Sequence, residues 1–276
     1  MFSFSIATIV FAILVALIGG VIQATIGFGM GVVTIPVLVW IGIPLHHAIG
    51  MMLPCIVFQT ALNSWQHKAK LPWRDILRLF ALRLIGLPIG IAILHQLSET
   101  NTNATRQVLG IGLIAIISLR WFEPNLPLNR VAGASTYLFG LLSGLAAGLI
   151  GMGGPPLVLW VMKQPWDSVR QRTFLWASFL LVTPIQGAIL MYSFGASEMA
   201  GAYAAGMLLV PAVVSGSWLG NHLAKRLSAE RLRLLMTSFL LIIAIRFVVS
   251  PFWTEAVPGE QNSTEFNEPY STRNQK

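Results

Sequence analysis

Two glycine clusters are the residues of this sequence best suited to chemistry: Gly27-Phe28-Gly29-Met30-Gly31 and Gly151-Met152-Gly153-Gly154-Pro155-Pro156. Each follows a long apolar run and precedes a short one, 32–43 in the first case and 155–163 in the second. A helix restarted after such a break presents backbone N–H groups with no intrahelical acceptor, and the positive end of its dipole. Glycine lets a solute approach that backbone closely, and an oxyanion is the ligand that a helix start suits. Pro155 and Pro156 fit the first turn of a new helix, where proline lacks only a donor that had no acceptor. Gly27, Gly29, Gly31, Gly151, Gly153, Gly154 and Pro155 are therefore candidate anion-binding positions. Gly19, Gly20, Gly140, Gly144 and Gly148 lie within longer runs and read as close-packing positions instead.

Polar side chains inside apolar runs are the other candidates, because an unpaired amide or charge in hydrocarbon is costly. Gln23 and Thr25 precede the first break, and Thr34 lies in the short run after it. Gln59, Thr60 and Asn63 recur every three or four residues, hence on one helix face. Ser178, Thr183 and Gln186 occupy the corresponding stretch of the second half. Gln23, Thr25, Thr34, Gln59, Asn63, Ser178 and Gln186 join the candidate set, against the alternative that they only bond neighbouring helices. Arg83 stands roughly 12 Å along its helix from Asp75, deep enough to contact an anion or gate its route. Arg78 and Arg246 are within snorkelling reach of a membrane face. His46 and His47 fall in a short link, where an exposed or capping role is expected, and His222 lies beside a basic loop. No Asp or Glu lies deep in any run, so the carboxylate relay of many proton-driven carriers is missing from the pattern.

The elements that must hold these groups are set by composition. Of 276 residues, 55% are hydrophobic and 10% charged, with a mean hydropathy of +0.72; a soluble domain carries roughly a quarter charged residues. Apolar runs occupy about 4–26, 32–43, 48–65, 76–96, 105–122, 131–150, 155–163, 173–194, 200–223 and 232–250. Most match the roughly twenty residues that cross a bilayer. An all-α, polytopic helical membrane protein is expected, and a soluble enzyme, a DNA-binding protein and a disordered scaffold are excluded. The net charge of +8 falls between the runs rather than on one basic face, so the lipid bilayer is the partner and nucleic acid is not. Cys55, the single cysteine, lies inside a run, which leaves no disulfide framework and no cysteine-based metal site. No cofactor is implied. The N-terminal run has no Lys or Arg ahead of it, so a retained first helix is expected rather than a cleaved signal. After Trp253 the chain turns polar, acidic and rich in Asn and Pro, as a disordered tail does.

The short runs reveal an internal repeat. Ile26-Gly27-Phe28-Gly29 overlays Ile150-Gly151-Met152-Gly153 at a spacing of 124, and Ile116-Ile117-Ser118-Leu119-Arg120 overlays Ile242-Ile243-Ala244-Ile245-Arg246 at 126. Residues 1–124 and 125–253 thus form two membrane repeats, with 254–276 as the tail. At about 1.5 Å per residue the short runs extend only roughly 14–18 Å, half of a core of about 30 Å. Whether they cross or re-enter stays open, but counting each as one crossing puts the basic stretches at 65–75, 120–130, 163–172 and 224–233 on one face. The positive-inside rule favours that arrangement. It places both termini outside and gives five segments per half, an odd number, so the halves are inverted. Inverted repeats meeting at interrupted helices are a common transporter plan.

An apolar run ending in a Gly-x-Gly cluster, followed by a short proline-containing run and repeated in the second half, resembles the TauE/SafE family of sulfite-exporter-like membrane transporters. The motifs that carry the resemblance are Ile26-Gly27-Phe28-Gly29-Met30-Gly31 with Thr34 and Pro36, and Ile150-Gly151-Met152-Gly153-Gly154-Pro155-Pro156. The likeness reaches to about residue 253. The first copy departs from it by having Met30 between glycines. The resemblance implies movement of sulfite, sulfonates or related sulfur oxyanions across a bacterial inner membrane. Against this transporter reading stand an anion channel, a scaffold without flux, and an intramembrane serine protease built on Ser143 and His222. For the last, position 141 is Leu where a Gly-x-Ser-Gly motif needs glycine, and the expectation is that the chain is not an enzyme.

Overall fold

The computed structural model describes residues 6–66, 71–100, 102–121 and 132–223, with 241–242, 244–245 and 247–249 of the last apolar run. Lys68, Lys70, Arg130, the stretch 224–233, Ile243 and Arg246 of the second copy's closing landmark and the tail 254–276 lie outside the described residues. The elements among the described residues are helices: α1 (Ile6–Ile26), α2 (Met30–Trp40), α3 (Leu45–Gln66), α4 (Trp73–Thr100), α5 (Thr102–Trp121), α6 (Ala132–Ile150), α7 (Gly154–Val161), α8 (Ser168–Phe194) and α9 (Ala196–Leu223). Leu45–Gln66, Trp73–Glu99, Ser168–Phe194 and Ala196–Leu223 are each long and apolar enough to cross a membrane. Leu14, Ile85, Leu208 and Trp218 are exposed on the outer surface, a distribution that lipid accommodates and water does not. The protein is an all-α, polytopic helical membrane protein.

Element boundaries follow local chemistry. α8 starts five residues before its apolar run because Asp167 caps it, Oδ1 accepting the Arg170 amide at 2.7 Å. α1 ends where Gly27 and Gly29 take φ of +97° and +112°, and α6 ends at Gly151 with φ +72°. Side chains with a Cβ rarely adopt that backbone, so the breaks are written by glycine. Pro155 and Pro156 then open α7.

Contacts set the helix directions. Leu82, Arg83, Leu87 and Gly90 of α4 lie in order against Gly140, Gly144 and Gly148 of α6, so these two run parallel. A Cβ on Gly144 would clash with the Arg83 carbonyl oxygen, and one on Gly148 with that of Leu87. Helix axes this close require glycine at the seam. α1 and α9 repeat the arrangement: Gly216 faces the Leu17 carbonyl and Gly220 that of Val21. α3 also runs parallel to α9, with Gly50 against Met199 and the Asn63 amide donating to Ser217 Oγ at 3.2 Å. α4 and α8 run parallel through Arg83 to Ser178 and His95 to Phe194. His46, at the start of α3, stacks on Phe194, at the end of α8. Hence α1, α3 and α9 share one direction and α4, α6 and α8 the other.

The short helices turn back. Ser143 Oγ donates to the Gly153 carbonyl at 2.6 Å and Trp160 Nε1 to Thr136 Oγ1 at 3.0 Å, so α7 returns along α6. α2 returns along α1, its Thr34 methyl lying 2.7 Å from where a Cβ on Gly19 would be. Both break tips therefore sit within the helix bundle. His46 and His47, expected in a short link with an exposed or capping role, belong to the first turn of α3, and His47 is buried. The run from 48 extends back to Leu45, and that extension carries both imidazoles into contact with α8 and α9.

Candidate functional site

The two breaks meet. A Cβ on Gly31 would stand 3.1 Å from the Gly151 carbonyl oxygen, and one on Gly154 3.3 Å from the Phe28 ring. Between them is a small, partly open cavity. Gly29, Gly31 and Val32 line it from the first break, and Gly151, Met152, Gly153 and Gly154 from the second. Gln23, Ile56, Arg83, Ala147, Phe179, Thr183 and Gln186 complete the wall. Because an α-helix leaves its first amides without i−4 acceptors, the starts of α2 and α7 turn N–H donors and the positive ends of two dipoles to this space. Pro155 and Pro156 remove two donors at the second start, so there the amides of Gly153 and Gly154 are the ones that remain.

Arg83 supplies the charge. Its side chain is 2% exposed, reaching from α4 past the second break, with Nη2 3.2 Å from where a Gly153 Cβ would be. Nη1 donates to the Ser178 carbonyl at 2.9 Å, and the guanidinium carbon lies 5.4 Å from the Phe179 ring centroid. Nε has no hydrogen-bond partner, and no carboxylate among the described residues pairs with the side chain. A buried cation without a counter-charge carries an uncompensated desolvation cost of several kcal/mol. A bound anion would offset it. Gln23 adds a second donor at the same wall, its buried Nε2 having no partner. Gln186 donates to the Ala147 carbonyl at 2.8 Å, which fixes the side chain against α6.

Other sequence candidates sit elsewhere. Gln59 donates to the Gly20 carbonyl at 2.8 Å, the same bond that Gln186 makes to Ala147, but it does not line the cavity. Asn63 binds Ser217 and accepts from Asn221 at 3.2 Å, within the α3–α9 seam. Thr25 Oγ1 donates to Val21 and Gly220 carbonyls, and Thr34 Oγ1 to Met30 at 2.6 Å. Gly27 packs on Arg172, whose Nη1 reaches the Ala24 and Thr25 carbonyls. Pro155 is buried in the first turn of α7, and Ser178 contributes its carbonyl to Arg83 rather than its hydroxyl. Phe179 and Ala147 are invisible as site residues in sequence: an aromatic and an alanine in an apolar run carry no polar signal. Ser143 and His222 are not brought together as a protease pair. Ser143 is spent on Gly153, and the His222 ring rests on Trp218, with Nδ1 2.9 Å from its carbonyl.

Helices breaking around an interior cation define a polytopic membrane protein with a small polar cavity at its centre. Residues 12–247 match the family described as Sulfite exporter TauE/SafE, and the chain belongs to that family. It is similar to a protein of Cupriavidus necator named probable sulfite/organosulfonate exporter TauE, 23% identical over 206 residues that span 74% of this chain and 79% of the relative. No solved structure matches the chain.

Proposed function

We propose that this protein moves a small oxyanion, sulfite, an organosulfonate or a related sulfur oxyanion, across the membrane by alternating access between two inverted halves. The observation that carries the reading is Arg83, buried without a counter-charge at the point where both glycine breaks converge. A singly or doubly charged oxyanion there would gain the guanidinium, the Gln23 amide and the helix-start N–H groups together. Membership of the family and the name of the Cupriavidus necator relative support a sulfur oxyanion as cargo.

Residues 1–124 and 125–253 form the two halves. α4 and α9 are each 28 residues long, with Pro88 and Pro211 both at the sixteenth position. α1 and α6 each precede a break and run in opposite directions, as do α3 and α8, and α4 and α9. The cation has no twin: Arg83 corresponds to Gly206 at the spacing of 123 that relates the two prolines. One half carries the charge and both carry backbone donors. Flux into vesicles reconstituted with the full chain tests the reading, comparing sulfite, sulfate, thiosulfate, a taurine-like sulfonate and chloride. Saturable sulfite or sulfonate flux supports it. Unsaturable chloride conductance would make the protein a channel, and no flux of any of the five would remove the reading.

The face bearing Arg74, Lys163 and Arg170 is the cytoplasmic one under the positive-inside rule, and the termini are periplasmic in a bacterial inner membrane. Cys55 is buried on Gly206, so single reporter cysteines can be read against a quiet background. A variant with the exposed Ser197 replaced, Ser197→Cys, is expected to react with an impermeant maleimide in intact cells. Gln164→Cys is expected to react only after permeabilisation. The reverse pattern would invert the orientation.

A further inference from the structure

The end of the bundle where α3 and α9 begin holds a cluster that the transport site does not use. His46 and His47 occupy the first turn of α3 and Glu198 the first turn of α9. His46 Nε2 lies 3.0 Å and His47 Nε2 3.4 Å from one oxygen, Glu198 Oε1, and the ligand atoms all fall within 4.8 Å of one another. In a tetrahedral zinc centre with bonds of about 2.0–2.2 Å, ligand atoms stand roughly 3.3–3.5 Å apart. Two edges of this triangle are already close to that separation, and the third is no longer than 4.8 Å. The rings are held in place: His46 stacks on Phe194 at 4.4 Å with 6° between planes, and the His47 ring centroid is 4.2 Å from that of His46. His47 is buried and Glu198 is about half exposed, so the cluster has a dry back and an aqueous mouth. His95 pairs instead with Glu99 at 3.5 Å, its ring against Phe194.

We propose that His46, His47 and Glu198 form a site for a divalent transition-metal ion of the zinc type, tying the start of α3 to the start of α9. Two imidazoles and one carboxylate with an open fourth position are ligands such ions favour, whereas calcium and magnesium prefer all-oxygen sets. The two helix N-termini oppose a cation modestly, and the Glu198 charge answers them. The site is independent of what the protein transports, so its test does not depend on flux.

The full chain, purified without a polyhistidine tag, stripped of metal and placed in nanodiscs, is titrated with zinc chloride by calorimetry near neutral pH. Cobalt chloride provides a parallel optical readout. One zinc ion per chain is expected, together with visible cobalt bands of four-coordinate intensity. His47→Ala and Glu198→Gln are each expected to weaken binding about tenfold or more and to remove those bands. Glu198 is solvent-facing, so its amide variant keeps the fold even where the His47 variant does not. His222→Ala, at the opposite end of α9, should bind as the parent does. Absence of stoichiometric zinc in the parent, or unchanged binding by Glu198→Gln, would overturn the site.

Discussion

Replacing Arg83 with glutamine is expected to cut saturable oxyanion flux by roughly two to four orders of magnitude, the scale of about 3–5 kcal/mol lost when one partner leaves a buried charge pair. The protein should still fold and insert. Arg83 sits well inside its helix with one carbonyl bond and one aromatic face as its fixed contacts, so the native fold gains little from its charge. Arg83→Lys should keep part of the flux, since an ammonium supplies the charge but not the planar fork that matches an oxyanion. The sharpest discrimination comes from Arg83→Met. Without substrate, exchanging a buried uncompensated cation for an apolar chain of similar length should leave the thermal midpoint unchanged or raise it. A steep loss of stability in Arg83→Met would show that the guanidinium holds the bundle together, and normal flux in Arg83→Gln would remove it from the anion's path.

The second large effect is expected at Gly31. Its φ is ordinary, but a Cβ there would point at the Gly151 carbonyl from 3.1 Å, across the gap between the breaks. Gly31→Ala should demand a shift of a few tenths of an ångström, and Gly31→Val should fill the chamber with two further methyl groups. Flux is expected to fall in that order, by roughly tenfold or more for valine, with overpacking costing about 1–3 kcal/mol of stability. The neighbouring glycines make poorer tests. Gly29 needs positive φ, and a Cβ on Gly153 would stand 2.6 Å from the Ser143 carbonyl oxygen, so β-branched residues there strain the fold as well as the chamber. Vesicle flux alongside thermal unfolding of both Gly31 variants checks the point: parental flux by Gly31→Val would mean the anion does not pass between the breaks.

Much of this arrangement can be read in the chain because membrane physics writes it in composition. Runs of about twenty apolar residues, two too short to cross, and glycine at both interruptions already imply helices that stop inside the protein. Arg83 stands out because a cation eight residues into an apolar run needs a reason to be there. What the sequence conceals depends on packing across distance. Gln59 and Gln186 look alike in their runs and make matching bonds to α1 and α6, yet only Gln186 reaches the chamber wall. Asn63 lies on the same helix face as Gln59, but the α3–α9 seam takes it up through Ser217 and Asn221. His46 and His47 look like link residues because their partner, Glu198, is about 150 positions away and arrives only when α9 packs on α3. Phe179 carries no signal in an apolar stretch until the guanidinium is placed over it.

Diffraction from the full chain soaked in selenite, a heavier analogue of sulfite with an anomalous signal, tests the core of the account in one measurement. A single strong anomalous peak within hydrogen-bonding reach of the Arg83 guanidinium, between the starts of α2 and α7, is the result expected. Peaks confined to the ends of the bundle, with the chamber at Gly31, Gly151 and Gly153 holding only water, would contradict it.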